Sequence, residues 1–245
     1  MAQMRIDKLL ASTGRWSRRE VKQLIKEGRV LAGREIVGRP ENKYDPEETE
    51  IRVDGAPVGL SAYHYVMLHK PAGVLSATED RRAETALGLL PPELQKLGLF
   101  PVGRLDKDTE GLLLMTDDGE LAHRLLAPRS HVDKVYYVRA AGCLTAEDAA
   151  AFAAGMTLPD GFRCLPAGLE ILSSGAESEV LVTLREGKFH QIKRMLAARK
   201  APVLYLKRLS MGPLRLDPAL ARGEWRYLTD LEVRALCSLK AAAKV

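Results

Sequence analysis

The chain has 245 residues, of which 46% are hydrophobic and 28% charged, with a formal net charge of +5. That composition suits a chain able to bury a core in one large domain or two modest ones, and no run of ~18 apolar residues is present to span a bilayer as a helix. The start of the chain lacks the apolar centre of a secretion signal, and three distant cysteines (Cys143, Cys164 and Cys237) suggest neither disulfide framework nor Cys-x-x-Cys metal site, so a cytoplasmic location is expected.

The first ~60 residues read as a small module. Ile6, Leu9 and Leu10 have helical spacing. Ser17-x-x-Glu20 forms a capping box that starts a second helix, whose apolar stripe is Val21, Leu24 and Ile25 and whose stop is Gly28. Arg18, Lys22 and Lys26 lie one turn apart on the opposite side of that helix, with Arg15 and Arg19 beside them. Short strands are expected at 29–31 and 50–53, with a turn at Asp54-Gly55. A connector at 55–62 leads to a larger domain, so the boundary is set at 1–60 and 61–245.

In the larger domain, strands are expected at 65–69, 112–115 and 132–139, and a hairpin joins 169–172 to 179–184 through Ser173-Ser174-Gly175. Helices are expected at 120–126, at 146–154 with Thr145 as cap, and at 190–199. Strands outnumber helices and the connections are short. The fold class is therefore α+β: a small N-terminal α/β module plus a mixed, mainly antiparallel sheet domain. The Ala-rich tail after Leu239 is expected to fray.

Charge is unevenly placed. Arg5–Arg34 carries nine Lys or Arg against three Asp or Glu, and Arg185–Arg208 carries eight against one. Two basic blocks suggest a polyanion held at two places, or else two solvated helix faces. His64, His69, His123 and His131 have no ligand-like spacing and are expected to be surface or structural.

The most informative stretch is Gly103-Arg-Leu-Asp-Lys-Asp-Thr-Glu-Gly-Leu-Leu-Leu-Met-Thr-Asp-Asp-Gly119, an acidic tight loop followed at once by an apolar strand. Asp106, Asp108, Glu110 and Gly111 match the opening of a calcium-binding loop. The match then breaks, with leucine at 112–114 and Asp117 where such loops close on glutamate. Asp106-x-Asp108-Thr109 also copies the nucleophile motif of haloacid-dehalogenase-type phosphatases, but it follows ~100 residues of other structure instead of opening a Rossmann-like domain.

Gly-Arg-Leu-Asp-x-x-Thr-x-Gly-Leu-Leu-Leu-Met-Thr-Asp-Asp-Gly resembles the active-site motif of the pseudouridine synthases, in particular the RsuA-type branch acting on ribosomal RNA. Leu68-x-Lys-Pro-x-Gly73, Lys134-x-Tyr136-x-Val138 and Glu186-Gly-Lys-Phe-His-Gln-Ile-Lys-Arg-Met195 resemble three further motifs of that branch, and the N-terminal module resembles a small RNA-binding domain named after a ribosomal protein. Together these cover nearly the whole chain in the expected order.

The resemblance implies isomerisation of a uridine in ribosomal RNA, with Asp106 as the catalytic carboxylate. Small-subunit (16S) RNA is favoured by His-Gln-x-Lys-Arg-Met, and large-subunit (23S) RNA or a non-catalytic RNA-binding role are the alternatives. The reaction is redox-neutral, so no cofactor and no metal are expected. The partner is ribosomal RNA or a ribosome assembly intermediate, with no membrane, and the chain is expected to act as a monomer. An enclosed carboxylate needs a cation to offset its desolvation; the resemblance supplies Lys193, otherwise a surface lysine. Tyr136 is implied to lie against the target uracil, its alternative being a half-buried strand tyrosine, and Tyr137 is expected in the core. Arg104 is implied to fill the space a flipped base leaves, or else to shape the turn. The expected RNA contacts are Arg15, Arg18, Arg19, Lys22 and Lys26 on the N-terminal helix and His190, Gln191 and Arg194 on the later one, where His190 and Gln191 alternatively cap the helix. Where the family usually closes that helix with glycine, this chain has Arg199-Lys200-Ala201-Pro202.

Overall fold

The computed structural model describes residues 3–11, 13, 15–46, 48–58, 63–127 and 132–239. His131, the 60/61 boundary and the tail beyond Leu239 lie outside the described residues. The chain divides into two compact units, Met1–His64 and Tyr65–Val245.

In the first unit β1 (Met4–Arg5) pairs with β4 (Lys43–Tyr44), and β2 (Val30–Ala32), β3 (Glu35–Ile36), β5 (Ile51–Val53) and β6 (Ala56–Pro57) form a sheet in the order β3-β2-β5-β6. Helices α1 (Ile6–Ala11) and α2 (Arg18–Lys26) bury Ile6, Leu9, Leu10, Val21, Leu24 and Ile25 against Val30, Ile51 and Val53. The cap of α2 forms as the sequence requires: Ser17 N–H donates to Glu20 Oε2 at 2.6 Å, and Glu20 N–H donates to Ser17 Oγ at 3.2 Å. Asp54 and Gly55 both take positive φ (52° and 76°), the conformation of a two-residue turn between β5 and β6.

The second unit is built on β7 (Tyr65–Lys70), β8 (Phe100–Pro101), β9 (Glu110–Thr116), β10 (Lys134–Ala141), β11 (Gly168–Ser173), β12 (Glu177–Leu184), β13 (Val203–Met211), β14 (Leu214–Arg215) and β15 (Trp225–Tyr227). Its helices are α3 (Pro92–Gln95), α4 (Gly119–Leu126), α5 (Ala146–Ala154), α6 (Gln191–Ala198) and α7 (Asp230–Cys237). The main path is β11-β12-β10-β13-β9-β7-β15. Every pairing in it is antiparallel except β9 with β13, where Glu110 and Gly111 face Lys207 and Arg208 in parallel register.

All seven residues of β9 are buried, because both faces of the sheet are covered there. Leu113 and Met115 join one core with Leu68, Tyr136, Val138 and Leu206; Leu112 and Leu114 join another with Met67, Leu121 and Met211. That is why the strand reads as a continuous apolar run and not as an alternation. Gly111 makes the parallel neighbour possible. At φ 110° it sits so close to β13 that a Cβ would lie 2.2 Å from the Arg208 carbonyl oxygen.

One expectation is corrected here, and one departure from the family pattern is accounted for. Tyr137 is only half-buried and packs edge-on against Tyr205 with centroids 6.1 Å apart, while Tyr136 occupies the core face. The missing glycine after α6 is replaced by Lys200, which itself adopts the left-handed φ of 60°.

Candidate active site

The loop before β9 is held from both flanks. On one side, Ser76 Oγ donates to the Leu105 carbonyl at 2.9 Å and accepts from Leu105 N–H at 3.0 Å. On the other, the Lys70 ammonium, at the end of β7, donates to the carbonyls of Thr109 (2.8 Å), Pro71 (2.9 Å) and Lys107 (3.3 Å). Thr109 N–H closes the turn onto the Asp106 carbonyl at 3.0 Å. Lys70 has no exposed surface, and burial pulls its ammonium down to about 8, against the opposing pull of Asp108, Glu110 and Asp106. Asp106 is thus fixed by its neighbours' backbone while its own carboxylate stays about one-quarter exposed.

Lys193, in the first turn of α6, reaches that carboxylate. Its Nζ lies 3.0 Å from Asp106 Oδ2 and 2.5 Å from Asp108 Oδ1. Burial works against the ammonium, but the hydrogen bonds to Asp108 and Asp106 outweigh it and hold Lys193 above the ordinary lysine range. Its hydrogen bond in turn holds Asp108 below the usual carboxylate range. His190 Nε2 stands 3.7 Å from Asp106 Oδ1, too far for a hydrogen bond.

These groups open onto a cleft of about 440 Å³, its mouth included, whose walls include Arg104, Tyr136, Leu184, Ile192 and Leu206. One end is apolar and aromatic, and the other holds a carboxylate with its cation. Arg104 is exposed at the mouth and Tyr136 is only 8% exposed. The structure therefore brings Asp106, Lys193, Tyr136, Arg104 and His190 together from a loop, a helix and a strand far apart in sequence.

Not every expected RNA contact presents itself to solvent. Gln191 is 4% exposed: its Nε2 donates to Glu186 Oε1 at 2.7 Å and its Oε1 accepts from Lys188 N–H at 3.1 Å, so it ties the loop that leads into α6. Arg194 pairs with Asp160. The block Arg185–Arg208 is less of a positive surface than its composition implies, since Arg185 pairs with Asp133, Arg199 with Asp148, and Arg208 is 2% exposed. On α2, Arg18, Arg19, Lys22 and Lys26 are exposed as expected, as is Arg15 just before it. Of the other histidines, His69 is buried, its Nδ1 2.8 Å from the Leu220 carbonyl.

Sequence reasoning missed Lys70, Ser76 and the second partner of Lys193. Lys70 was in view as part of Lys-Pro-x-Gly, but a turn signal does not reveal a buried ammonium. Of the acidic loop's carboxylates, Asp106 and Asp108 meet at Lys193 while Glu110 turns away, accepting from Tyr205 Oη at 2.7 Å and Arg222 Nε at 3.0 Å. Among the described residues no group of three His, Cys, Asp or Glu could hold a metal ion.

A mixed sheet carries a loop carboxylate, a helix lysine and a strand tyrosine around one cleft, a set that suits an enzyme working on the sugar or base of a nucleic acid. The profile of the RNA pseudouridylate synthase family matches residues 64–198, that of the S4 domain matches residues 4–51, and the chain belongs to the RNA pseudouridine synthases, of the RsuA type. It is 47% identical to an uncharacterized RNA pseudouridine synthase, YtzG, of Bacillus subtilis, over 95% of this chain and 98% of that relative. It is also 41% identical to the ribosomal small subunit pseudouridine synthase A of Vibrio cholerae (95% and 99% covered) and 38% to that of Escherichia coli (95% and 100%). A crystal structure of a pseudouridylate synthase superposes with a TM-score of 0.67 at 34% identity, covering 95% of this chain and 99% of the other. No helix among the described residues is long and apolar enough to cross a membrane.

Proposed function

We propose that this enzyme acts as a monomer in the cytoplasm on one uridine of small-subunit (16S) ribosomal RNA, with Asp106 as its catalytic carboxylate. The carrying observation is the Lys193 ammonium 3.0 Å from Asp106 in a cleft walled by Tyr136 and mouthed by Arg104. The relatives named for the small subunit support the choice of RNA.

The reaction breaks the N1–C1′ bond, turns the uracil and joins C5 to C1′; the proton lost from C5 is matched by one gained at N1. As uracil leaves, C1′ becomes electron-poor, and an ionised carboxylate beside the sugar is the group that meets this demand, by attack at C1′ or by taking a sugar proton. The Lys193 ammonium, 3.0 Å away, offsets the water that the Asp106 carboxylate loses when RNA enters. The reacting atoms of a stacked uridine are out of reach of a cleft residue, so on this reading the uridine leaves its stack, at a cost of a few kcal/mol, and its ring lies against Tyr136. Arg104, at the mouth, fills the vacated place and holds a phosphate. The S4 domain offers Arg15, Arg18, Arg19, Lys22 and Lys26 to phosphates, which positions the RNA without reading its sequence.

Asp106→Asn should abolish pseudouridine formation and leave RNA affinity within about twofold, because the amide keeps the shape and loses the charge. An active Asp106→Asn enzyme refutes the assignment. Mapping pseudouridines in 16S and 23S RNA from cells lacking the protein identifies the target.

A further inference from the structure

The cleft continues past Asp106. Arg104, Leu105, Asp106, Lys188 and His190 also wall a second hollow of about 1280 Å³, mouth included, which extends to Leu75–Ala77, Asp80, Lys107 and Phe189. Phe189 is 77% exposed, the second most exposed large hydrophobic side chain among the described residues. One face of its ring is covered by His190, stacked at 3.8 Å between centroids and 18° between planes. That pairing leaves the other face open.

The polar groups around the ring divide into engaged and available ones. Ser76 Oγ is committed to Leu105, and Asp80 Oδ1 accepts the N–H groups of Arg82 and Ala83. Arg104 and Lys107 are exposed, and neither forms an ion pair with a carboxylate among the described residues. The third cation of the wall, Lys188, lies over the Phe162 ring, 5.8 Å from its centroid, so the hollow offers one aromatic face and two unengaged cations. A protein partner would need a wider apolar patch than a single ring. A flat ring carrying a negative charge fits, and every nucleobase has a π-face.

We infer that this hollow is a second nucleotide subsite, in which an unpaired base next to the target uridine stacks on Phe189 with its phosphate against Arg104 and Lys107. The inference rests on the reading that the Asp106 cleft takes a uridine. It makes Phe189 a determinant of RNA binding that touches none of the reacting atoms.

The test compares wild type, Phe189→Ala and Phe189→Trp for binding to protein-free small-subunit ribosomal RNA, at salt high enough to suppress the phosphate contribution. Each variant is also assayed for single-turnover pseudouridine formation at saturating enzyme. Phe189→Ala should bind roughly 5- to 100-fold more weakly, Phe189→Trp about as wild type, and the saturated rate of Phe189→Ala should stay within about threefold. Because the ring is exposed, all three proteins should melt alike, which a thermal scan checks. Unchanged binding by Phe189→Ala overturns the subsite. So does equal loss in the alanine and tryptophan variants, and so does intact binding with a slow saturated rate, which would make Phe189 a prop for His190. Asp106→Asn, run in parallel, separates the two readings: if it stays active the uridine assignment fails, whatever the Phe189 variants show about binding.

Discussion

Replacing Lys70 by methionine tests whether Asp106 is held by its backbone neighbours. The change removes a fully buried ammonium and three hydrogen bonds to loop carbonyls, at 2.8, 2.9 and 3.3 Å. Bonds from a charged donor contribute about 1.5–3 kcal/mol each, so the two short ones alone represent about 5 kcal/mol. Against this, methionine relieves the cost of burying a charge. The fall from 10.5 to about 8 in the Lys70 ammonium corresponds to about 3 kcal/mol at 1.36 kcal/mol per unit. The balance is a loss of about 2 kcal/mol, or roughly 4–8 °C in Tm for a domain of this size. Turnover should fall more than stability, by at least about tenfold, because a shift of about 1 Å in the carboxylate is enough to spoil alignment. Denaturant titration gives the first quantity, and single-turnover pseudouridine formation on ribosomal RNA gives the second. RNA affinity should hardly change, since Lys70 cannot touch RNA. A Lys70→Met enzyme with wild-type turnover, or one whose defect lies in affinity alone, would refute the reasoning.

Three further outcomes follow from the same physics. Burial pulls Lys70 and Lys134 both down to about 8, so between about 8 and 10.5 the unfolded chain binds protons that the folded chain has released. Stability should therefore rise with pH across that window and rise less in Lys134→Met; chemical denaturation at several pH values reads the slope, and a slope unaltered by the substitution contradicts it. Gly111→Ala should cost about 3 kcal/mol or more, since the new Cβ meets the Arg208 backbone at 2.2 Å from a positive φ; near-normal expression and melting would show that β13 can give way. Changing Arg18, Lys22 and Lys26 together to glutamine should weaken RNA binding and reduce the slope of log K against log salt by about 2–3, and an unchanged slope would remove α2 from the phosphate contacts.

Elements with local causes were legible in the sequence. The capping box at Ser17–Glu20 and the cap at Thr145 mark where α2 and α5 begin, and the apolar run after Gly111 marks β9. Strand β13 was not legible, because Leu206-Lys-Arg-Leu209 reads as a basic surface and its pairing depends on Gly111 in a distant segment. The same gap explains the errors in charge. Composition counts Lys70, Lys134 and Arg208 as positive surface, whereas tertiary packing buries all three. Asp106, Tyr136 and Lys193 could be picked out by motif, but the sharing of Lys193 between two aspartates needs the loop's shape. Gln191 sits in the same motif as Lys193 and turns inward; adjacency in a motif does not say which side chain faces the cleft.

The parallel contact between β9 and β13 also bears on the order of folding. Arg208 Nε donates to the carbonyl of Leu112, 96 residues earlier, at 2.7 Å. Closing a loop of that length costs about 4 kcal/mol of chain entropy beyond the constant term, so this contact forms late, once the antiparallel neighbours have already shortened the search. During synthesis the chain carries Asp106 and Tyr136 well before it carries Val203–Met211, and Lys193 just before. A nascent or clipped chain ending near Ala198 holds every motif residue, yet its central strand lacks its parallel neighbour β13. Activity should therefore appear only once the last long strand has arrived, and a chain truncated before Val203 should be inactive although it keeps every residue of the cleft's charged end.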